Sequence, residues 1–305
     1  MIRPDFISRG DAVAFIAPSY HLSTEELSQA LEAVRSAGFM PVPSPNLERV
    51  FAGKYAGTPG ERAEDLVWAY SDPEIGAVMP ARGGYGTIQL PGILPEDLFR
   101  RNPRWLLGYS DITTLHAAGV CSGVMSIHGI MGSSLASPER DPLSEELTFD
   151  LLCGKVPEYT WNPGDAGRYG SACGMLVGGN LATFTPLAGT AYDFMGRAGE
   201  DLILFVEEVE ESARNIDRMF NALRLHGCLD RVRGIVLGDF TECGDEFGYG
   251  STERMLLSFT LSGLDIPVAC GFPAGHAGRN WPLVEGARVR LDVAPGSASL
   301  SFIDL

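Results

Sequence analysis

A chain of 305 residues has room for two domains or one large one, and 45% hydrophobic with 20% charged residues is the balance of an ordinary globular protein. The formal net charge of −16 argues against nucleic acid and against anionic membrane surfaces, because both require clustered Lys and Arg. Six cysteines (Cys121, Cys153, Cys173, Cys228, Cys243 and Cys270) are scattered with no C-x-x-C pair, which leaves neither a zinc ribbon nor a dense disulfide framework and points to reduced thiols in a cytoplasm.

The opening residues Met1 to Asp5 lack the apolar core of a signal peptide, and no run is long enough to span a bilayer. Ala12 to Ala17 reads as a buried strand ending in Pro18-Ser19. Ser23 with Glu26 forms a capping box, and Leu27, Ala30, Leu31 and Val34 then share a helix face until Gly38. Met40 to Val42 is a short second strand, and Thr58-Pro59-Gly60-Glu61 opens a second helix. Ile75 to Met79 gives a third strand that runs into Arg82-Gly83-Gly84-Tyr85-Gly86. Trp105 to Leu107 and Val124 to Ile127 complete an alternation of strand and helix, the pattern of a doubly wound parallel α/β sheet. Ligands of such sheets bind beyond the carboxyl ends of the strands.

Trp161 to Gly167 is polar and rich in turn formers, and is predicted to be a boundary or linker between two domains, 1–160 and 171–305. Past it come strands at Met175 to Asn180, Leu202 to Val206, Val232 to Leu237 and Val268 to Ala269, and a helix with Ile216, Met219, Phe220 and Leu223 on one face. Ala287 to Leu305 alternates like two final strands. The second domain is therefore predicted to hold a mixed, partly antiparallel sheet.

Ser110 stands where the strand Trp105 to Leu107 meets a helix beginning near Asp111. Such a turn lifts a hydroxyl out of the sheet, with the first helical amides aimed at developing negative charge. This is the logic of a nucleophile elbow, although Gly-Tyr-Ser-Asp-Ile lacks the second glycine of G-x-S-x-G. The competing reading is that Ser110 or Asp111 merely caps the helix. The Arg82–Gly86 turn can cradle an anion or complete an oxyanion hole, or it can be glycine-rich for steric reasons alone. It is not G-x-G-x-x-G, so dinucleotide binding is a weak reading.

Of the histidines, His226 suits a helix end, His116 lies inside the helix after Ser110, and His276 sits in an irregular loop after a buried strand, where catalytic bases are found. No paired-histidine spacing signals a metal site, and none is expected. Glu207, Glu208, Glu210 and Glu211 follow an apolar strand and read mostly as a solvated charge run, but the first acid off the strand would project toward the sheet edge. Ser…Glu…His is an order compatible with triad chemistry.

These residues resemble the serine LD-carboxypeptidases, a family that includes muramoyl-tetrapeptide carboxypeptidases and microcin C immunity peptidases. The resemblance runs through Ile16-Ala17-Pro18-Ser19, Arg82 to Gly86, Gly108 to Asp111, Gly178-Gly179-Asn180-Leu181, Glu207-Glu208-Val209, Ile216-Asp217-Arg218-Met219 and Gly275-His276. It implies Ser110 as nucleophile, His276 as general base and then acid, and Glu207 as its orienting partner with Glu208 as the fallback. It implies an oxyanion hole from the backbone amides of Gly84 and Asp111, a flavodoxin-like N-terminal domain, a smaller β-rich C-terminal domain, a site in the cleft between them, a homodimer and no cofactor. The reaction it implies is removal of the terminal D-alanine from murein tetrapeptides in peptidoglycan recycling. Chemistry adds Arg82 as a clamp for the substrate's α-carboxylate and Asn180 as a hydrogen-bonding partner of the peptide. One departure stands out: the family usually shows Leu-Pro-Leu-Gly after Gly275-His276, whereas this chain has Leu283-Val284-Glu285-Gly286. The stretch between Gly189 and Asp201 is also short for a microcin immunity peptidase, which carries a longer aromatic segment there to hold a nucleotide. A serine esterase or amidase of another kind, and a non-enzymatic small-molecule-binding module built on Arg82–Gly86, are the competing functions.

Overall fold

Strand β1 (Ala12–Ile16) is apolar and buried along its whole length, and it pairs in parallel with β2 (Met40–Pro43) on one side and β3 (Ile75–Pro80) on the other. The helices between them, α1 (Thr24–Ser36) and α2 (Pro59–Ser71), both begin at the predicted capping boxes, with the reciprocal hydrogen bonds of Ser23 with Glu26 and Thr58 with Glu61 in place. After a short helix α3 (Leu98–Arg101), β4 (Trp105–Gly108) pairs with β3. Helix α4 (Thr113–Cys121) then leads to β5 (Ser126–His128), the neighbour of β4. Helices α5 (Gly132–Ala136) and α6 (Pro142–Leu152) follow. The parallel order is β2-β1-β3-β4-β5, which is the flavodoxin-like order, and its switch point lies between β1 and β3. A late segment, Leu283–Glu285, takes the place beyond β5.

This computed structural model describes residues 1–164 and 166–305, and its contacts divide the chain into two units. The first comprises Met1–Lys155 with Trp281–Val284, the second Val156–Asn280 with Glu285–Leu305. Among the described residues no helix is long and apolar enough to cross a membrane.

The second unit is built on one sheet. Its strands are β6 (Tyr159–Trp161), β7 (Gly167–Arg168), β8 (Gly170–Asn180), β9 (Leu202–Val209), β10 (Val232–Thr241) and β11 (Val268–Ala269); past β12 (Leu283–Glu285), which belongs with the first sheet, come β13 (Arg288–Ala294) and β14 (Ser297–Phe302). Their order is β6-β14-β13-β8-β9-β10-β11-β7. The centre, β8 to β11, is parallel, and the flanks are antiparallel. The mixed sheet is therefore as predicted, with apolar β9 buried in the middle. Helix α7 (Leu181–Phe184) follows β8, α8 (Ala213–Leu225) follows β9, and α9 (Thr252–Met255) follows β10. On α8 the buried face carries Ile216, Phe220 and Leu223.

The stretch Trp161 to Gly167 differs from a plain linker. Trp161 is buried in β6 and donates its indole N–H to the Cys270 carbonyl at 2.8 Å, while Gly167 already belongs to β7. Asp165, in its middle, lies outside the described residues. Turn-forming composition concealed two short strands that are set by their partners rather than by their own sequence.

Candidate active site

The turn at Ser110 is made by backbone. Gly108 closes β4 with φ +126°, and Ser110 itself has φ +62°, a left-handed conformation that costs a non-glycine residue ~1 kcal/mol or more. Such strain persists only where the surroundings hold it. A Cβ at Gly108 would stand 3.0 Å from the Ile112 side chain. Ser110–Ile112 then forms a 3₁₀ turn that passes into α4, and neither Ser110 nor Asp111 provides a side-chain cap to either helix. The capping alternative is thus not what these residues do. The Asp111 carboxylate instead accepts from Ser19 Oγ at 2.5 Å and from the Thr87 amide at 2.9 Å, and the Thr87 hydroxyl donates back to the Asp111 carbonyl. The Ser110 turn is laced to the segments after β1 and β3. Behind it, buried His116 bridges Gly108 O and Ser126 Oγ at 2.8 Å each, and burial pushes its imidazole down to about 4. Both ring nitrogens of His116 are thus engaged within the fold.

The glycine turn lies directly against Ser110. A Cβ on Gly83 would meet Ser110 Cβ at 3.2 Å and Oγ at 3.3 Å, and one on Gly84, at φ +117°, would stand 2.3 Å from the Tyr20 ring. The turn is held by Arg62 of α2, a residue without a sequence signal. Its guanidinium is buried and donates to Pro18 O at 2.6 Å, Gly86 O at 3.0 Å and Gln89 Oε1 at 2.5 Å. Burial works to lower the Arg62 pKa and the Asp111 charge works to raise it, burial prevailing. This buried cation ties the loops on both sides of the β1/β3 switch point. Arg82 is half-buried, with no carboxylate within 4 Å among the described residues; its charge acts on Glu26 from farther away.

In the second unit, Glu207 and Glu208 are adjacent on β9 and therefore face opposite sides of the strand. Both are buried. Glu207 Oε2 lies 2.7 Å from His276 Nδ1. Glu208 faces Asn180 instead, accepting from Asn180 Nδ2 at 2.8 Å, the Ala182 amide at 2.7 Å and the Val209 amide at 3.0 Å. Burial, aided by the Glu207 charge, pushes the Glu208 carboxyl up to about 7. Asn180 caps α7, its Oδ1 accepting from the Thr183 amide at 3.0 Å and hydroxyl at 2.8 Å. The loop carrying His276 is anchored by Phe272, wholly buried against Tyr159, Trp161 and Phe205. Burial works to lower the His276 pKa, but the charge and hydrogen bond of Glu207, then the charges of Glu208 and Asp239, outweigh it and hold the imidazole above its ordinary value. With Nδ1 donating to Glu207, Nε2 is the basic nitrogen. His226 caps the end of α8.

Among the described residues no group of three or more His, Cys, Asp or Glu side chains is placed to hold a metal ion. Sequence reasoning missed Arg62 and Asp239, and neither sits in a motif of its own.

A flavodoxin-like sheet with a strained serine elbow, and a mixed sheet offering a carboxylate-backed histidine, are the components of a serine hydrolase. Comparison with known proteins narrows the class. Residues 13–129 match the LD-carboxypeptidase N-terminal domain and residues 173–291 the LD-carboxypeptidase C-terminal domain. A murein tetrapeptide carboxypeptidase of Pseudomonas aeruginosa is 31% identical, over 91% of this chain and 94% of its own. The microcin C7 self-immunity protein of Escherichia coli is 28% identical, over 93% and 90%. The crystal structure of muramoyltetrapeptide carboxypeptidase from Oxalobacter formigenes superimposes with a TM-score of 0.87 at 27% identity, covering 96% of this chain and 99% of that one. The protein belongs to the LD-carboxypeptidase family and is a serine carboxypeptidase.

Proposed function

We propose that the protein releases the terminal D-alanine of murein tetrapeptides, with Ser110, His276 and Glu207 as its catalytic triad. The observation that carries this reading is the 31% identity, over 91% of the chain, to the P. aeruginosa enzyme named for that substrate. The geometry within each unit supports it: an elbow serine against a glycine turn, and a histidine 2.7 Å from a buried carboxylate.

Ser110 Oγ gives its proton to His276 Nε2 and attacks the carbonyl carbon of the scissile amide. The oxyanion that forms is met by the amides of Gly84 and Asp111. Collapse breaks the C–N bond, and the proton on Nε2 passes to the departing amine of D-alanine. Water, deprotonated by the same imidazole, then attacks the acyl-serine, and the proton returns to Ser110 as the ester breaks. Glu207 holds the tautomer and stabilises the imidazolium. Arg82 takes the terminal carboxylate, and Asn180, oriented by Glu208 and Thr183, hydrogen-bonds the peptide. The protein acts in the cytoplasm as a homodimer, consistent with recycling of imported peptide.

Cleavage of a peptidyl nucleotide is the second reading, favoured by the similarity to the microcin C7 self-immunity protein. Against it, the segment from Gly189 to Asp201 is short, and its Phe194 is buried against Phe184. The test is D-alanine release from murein tetrapeptide, with chelator present, by the wild type and by Ser110→Ala. Release by the first alone supports the reading. No release by either folded protein sinks it, and peptidyl nucleotides are then tried.

A further inference from the structure

His276 is bracketed by a second acid. Asp239, in β10, donates its backbone N–H to Ala274 O at 2.9 Å and accepts the Ala277 amide on its carboxylate. These two bonds lie on either side of the Gly275-His276 step. The fit there is close: a Cβ on Gly275, at φ +143°, would stand 2.9 Å from Asp239 Cβ, and one on Gly238 would stand 2.3 Å from Ala274 O. The second carboxylate oxygen of Asp239 is buried and makes no hydrogen bond among the described residues. Arg279, on the His276 loop, acts on Asp239 through its charge but forms no ion pair with it within 4 Å.

We propose that Asp239 is a positioning residue for His276, clamping the loop on both sides of the imidazole and adding to Glu207 and Glu208 a further negative charge that raises its basicity. His276 is faced by Glu207 and Glu208 from β9 and by Asp239 from β10. Asp239 is faced by Arg279 of the histidine loop, by Glu207, and by Glu253 of α9. Burial pushes Asp239 up to about 6, so it is ionised where a histidine base operates. Its charge favours the imidazolium. Removing that charge while keeping a hydrogen-bond acceptor therefore lowers the pH at which His276 becomes neutral.

The inference extends the role given to His276 above, but its first readout is independent of any substrate. The His276 imidazole is titrated by NMR in the wild type and in Asp239→Asn, with the resonance assigned through His276→Gln. The midpoint is expected to fall by about one pH unit in Asp239→Asn. Asp239→Ser, smaller and also neutral, reads the same shift should the amide variant not fold. On tetrapeptide, the acid limb of kcat/KM is expected to follow the midpoint downward. Asp239→Ala, which also loses the Ala277 bond, is expected to lower kcat a further ~10-fold with KM little changed. An unmoved midpoint in the neutral variants overturns the proposal. A moved midpoint in a protein that releases no D-alanine leaves it standing and removes only the murein reading.

Discussion

The two units hold the side chains proposed to react by opposite means. In the first, Ser110 is placed by backbone: two glycines without Cβ atoms, a left-handed φ, and neighbouring loops stapled by Arg62 and Asp111. In the second, His276 is placed by charge, with Glu207 bonded to it and Glu208 and Asp239 acting on it from nearby. A nucleophile needs a fixed direction, which stiff backbone provides. A base needs a tuned affinity for its proton, which buried carboxylates provide.

The contrast breaks most sharply at Glu207→Gln. The amide preserves shape and burial but can present N–H to His276 Nδ1 and reverse the tautomer. With the fold retained, kcat is expected to fall by ~10⁴. A loss under tenfold would show that charge in the second unit is not what prepares the base. On the backbone side, Gly84→Ala drives a Cβ to within 2.3 Å of the Tyr20 ring and must shift the turn. The expected fall in kcat is ~10². Adding Tyr20→Ala should recover part of it, because the second change removes the ring that the methyl meets. A double variant no better than the single one would mean that the positive φ of Gly84, rather than the contact, is what matters.

Arg62→Lys separates positioning from chemistry. An ammonium cannot reach Pro18 O, Gly86 O and Gln89 together in the planar fork that guanidinium provides. A cost of roughly 2 kcal/mol in stability is expected, from buried acceptors left unpaired. If thermal unfolding and kcat are both unchanged, the staple is idle.

The same contrast explains what the sequence revealed. Backbone devices advertise themselves, because glycine at 83, 84, 86 and 108 is visible and its uses are few. The capping boxes at Ser23 and Thr58, and the apolar runs of β1, β4 and β9, are equally local signals. Charge devices are not local. Glu207 and Glu208 stand in a run of acids that reads as solvated surface, and only parallel pairing on both sides of β9 buries them. Arg62 lies in an amphipathic helix among charged neighbours and looks solvent-facing. Asp239 follows Gly238 at the end of an apolar run, and nothing nearby announces a histidine loop folded against it. The strands β6 and β7 and the placement of β12 beyond β5 escaped for a related reason: two- or three-residue strands are defined by their partners.

The smallest expected effect concerns a buried acid outside the proposed site. Glu285 occupies the stretch where Leu-Pro-Leu-Gly was expected, and its side chain is buried. One carboxylate oxygen accepts the Gly178 amide at 2.9 Å, and the other has no hydrogen-bond partner among the described residues. Burial outweighs that one hydrogen bond and pushes the carboxyl up to about 8, against an ordinary value of 4.5. A folded-state pKa above the unfolded one means that the folded chain binds more protons between those values. The stability from protonated Glu285 is therefore fully present below pH 4.5 and is lost as pH rises through about 8. Glu285→Gln keeps an acceptor for Gly178 and cannot ionise. Relative to the wild type, its Tm should improve from pH 5 to about pH 8 and level off above it, by a few degrees in all. Glu285→Leu removes the charge but leaves the Gly178 amide unpaired in the interior. It should therefore show the same pH trend from a lower starting Tm. Wild-type and Gln curves that stay parallel across this range would mean that Glu285 does not keep its proton, and that the second unit buries there a true carboxylate like those around His276.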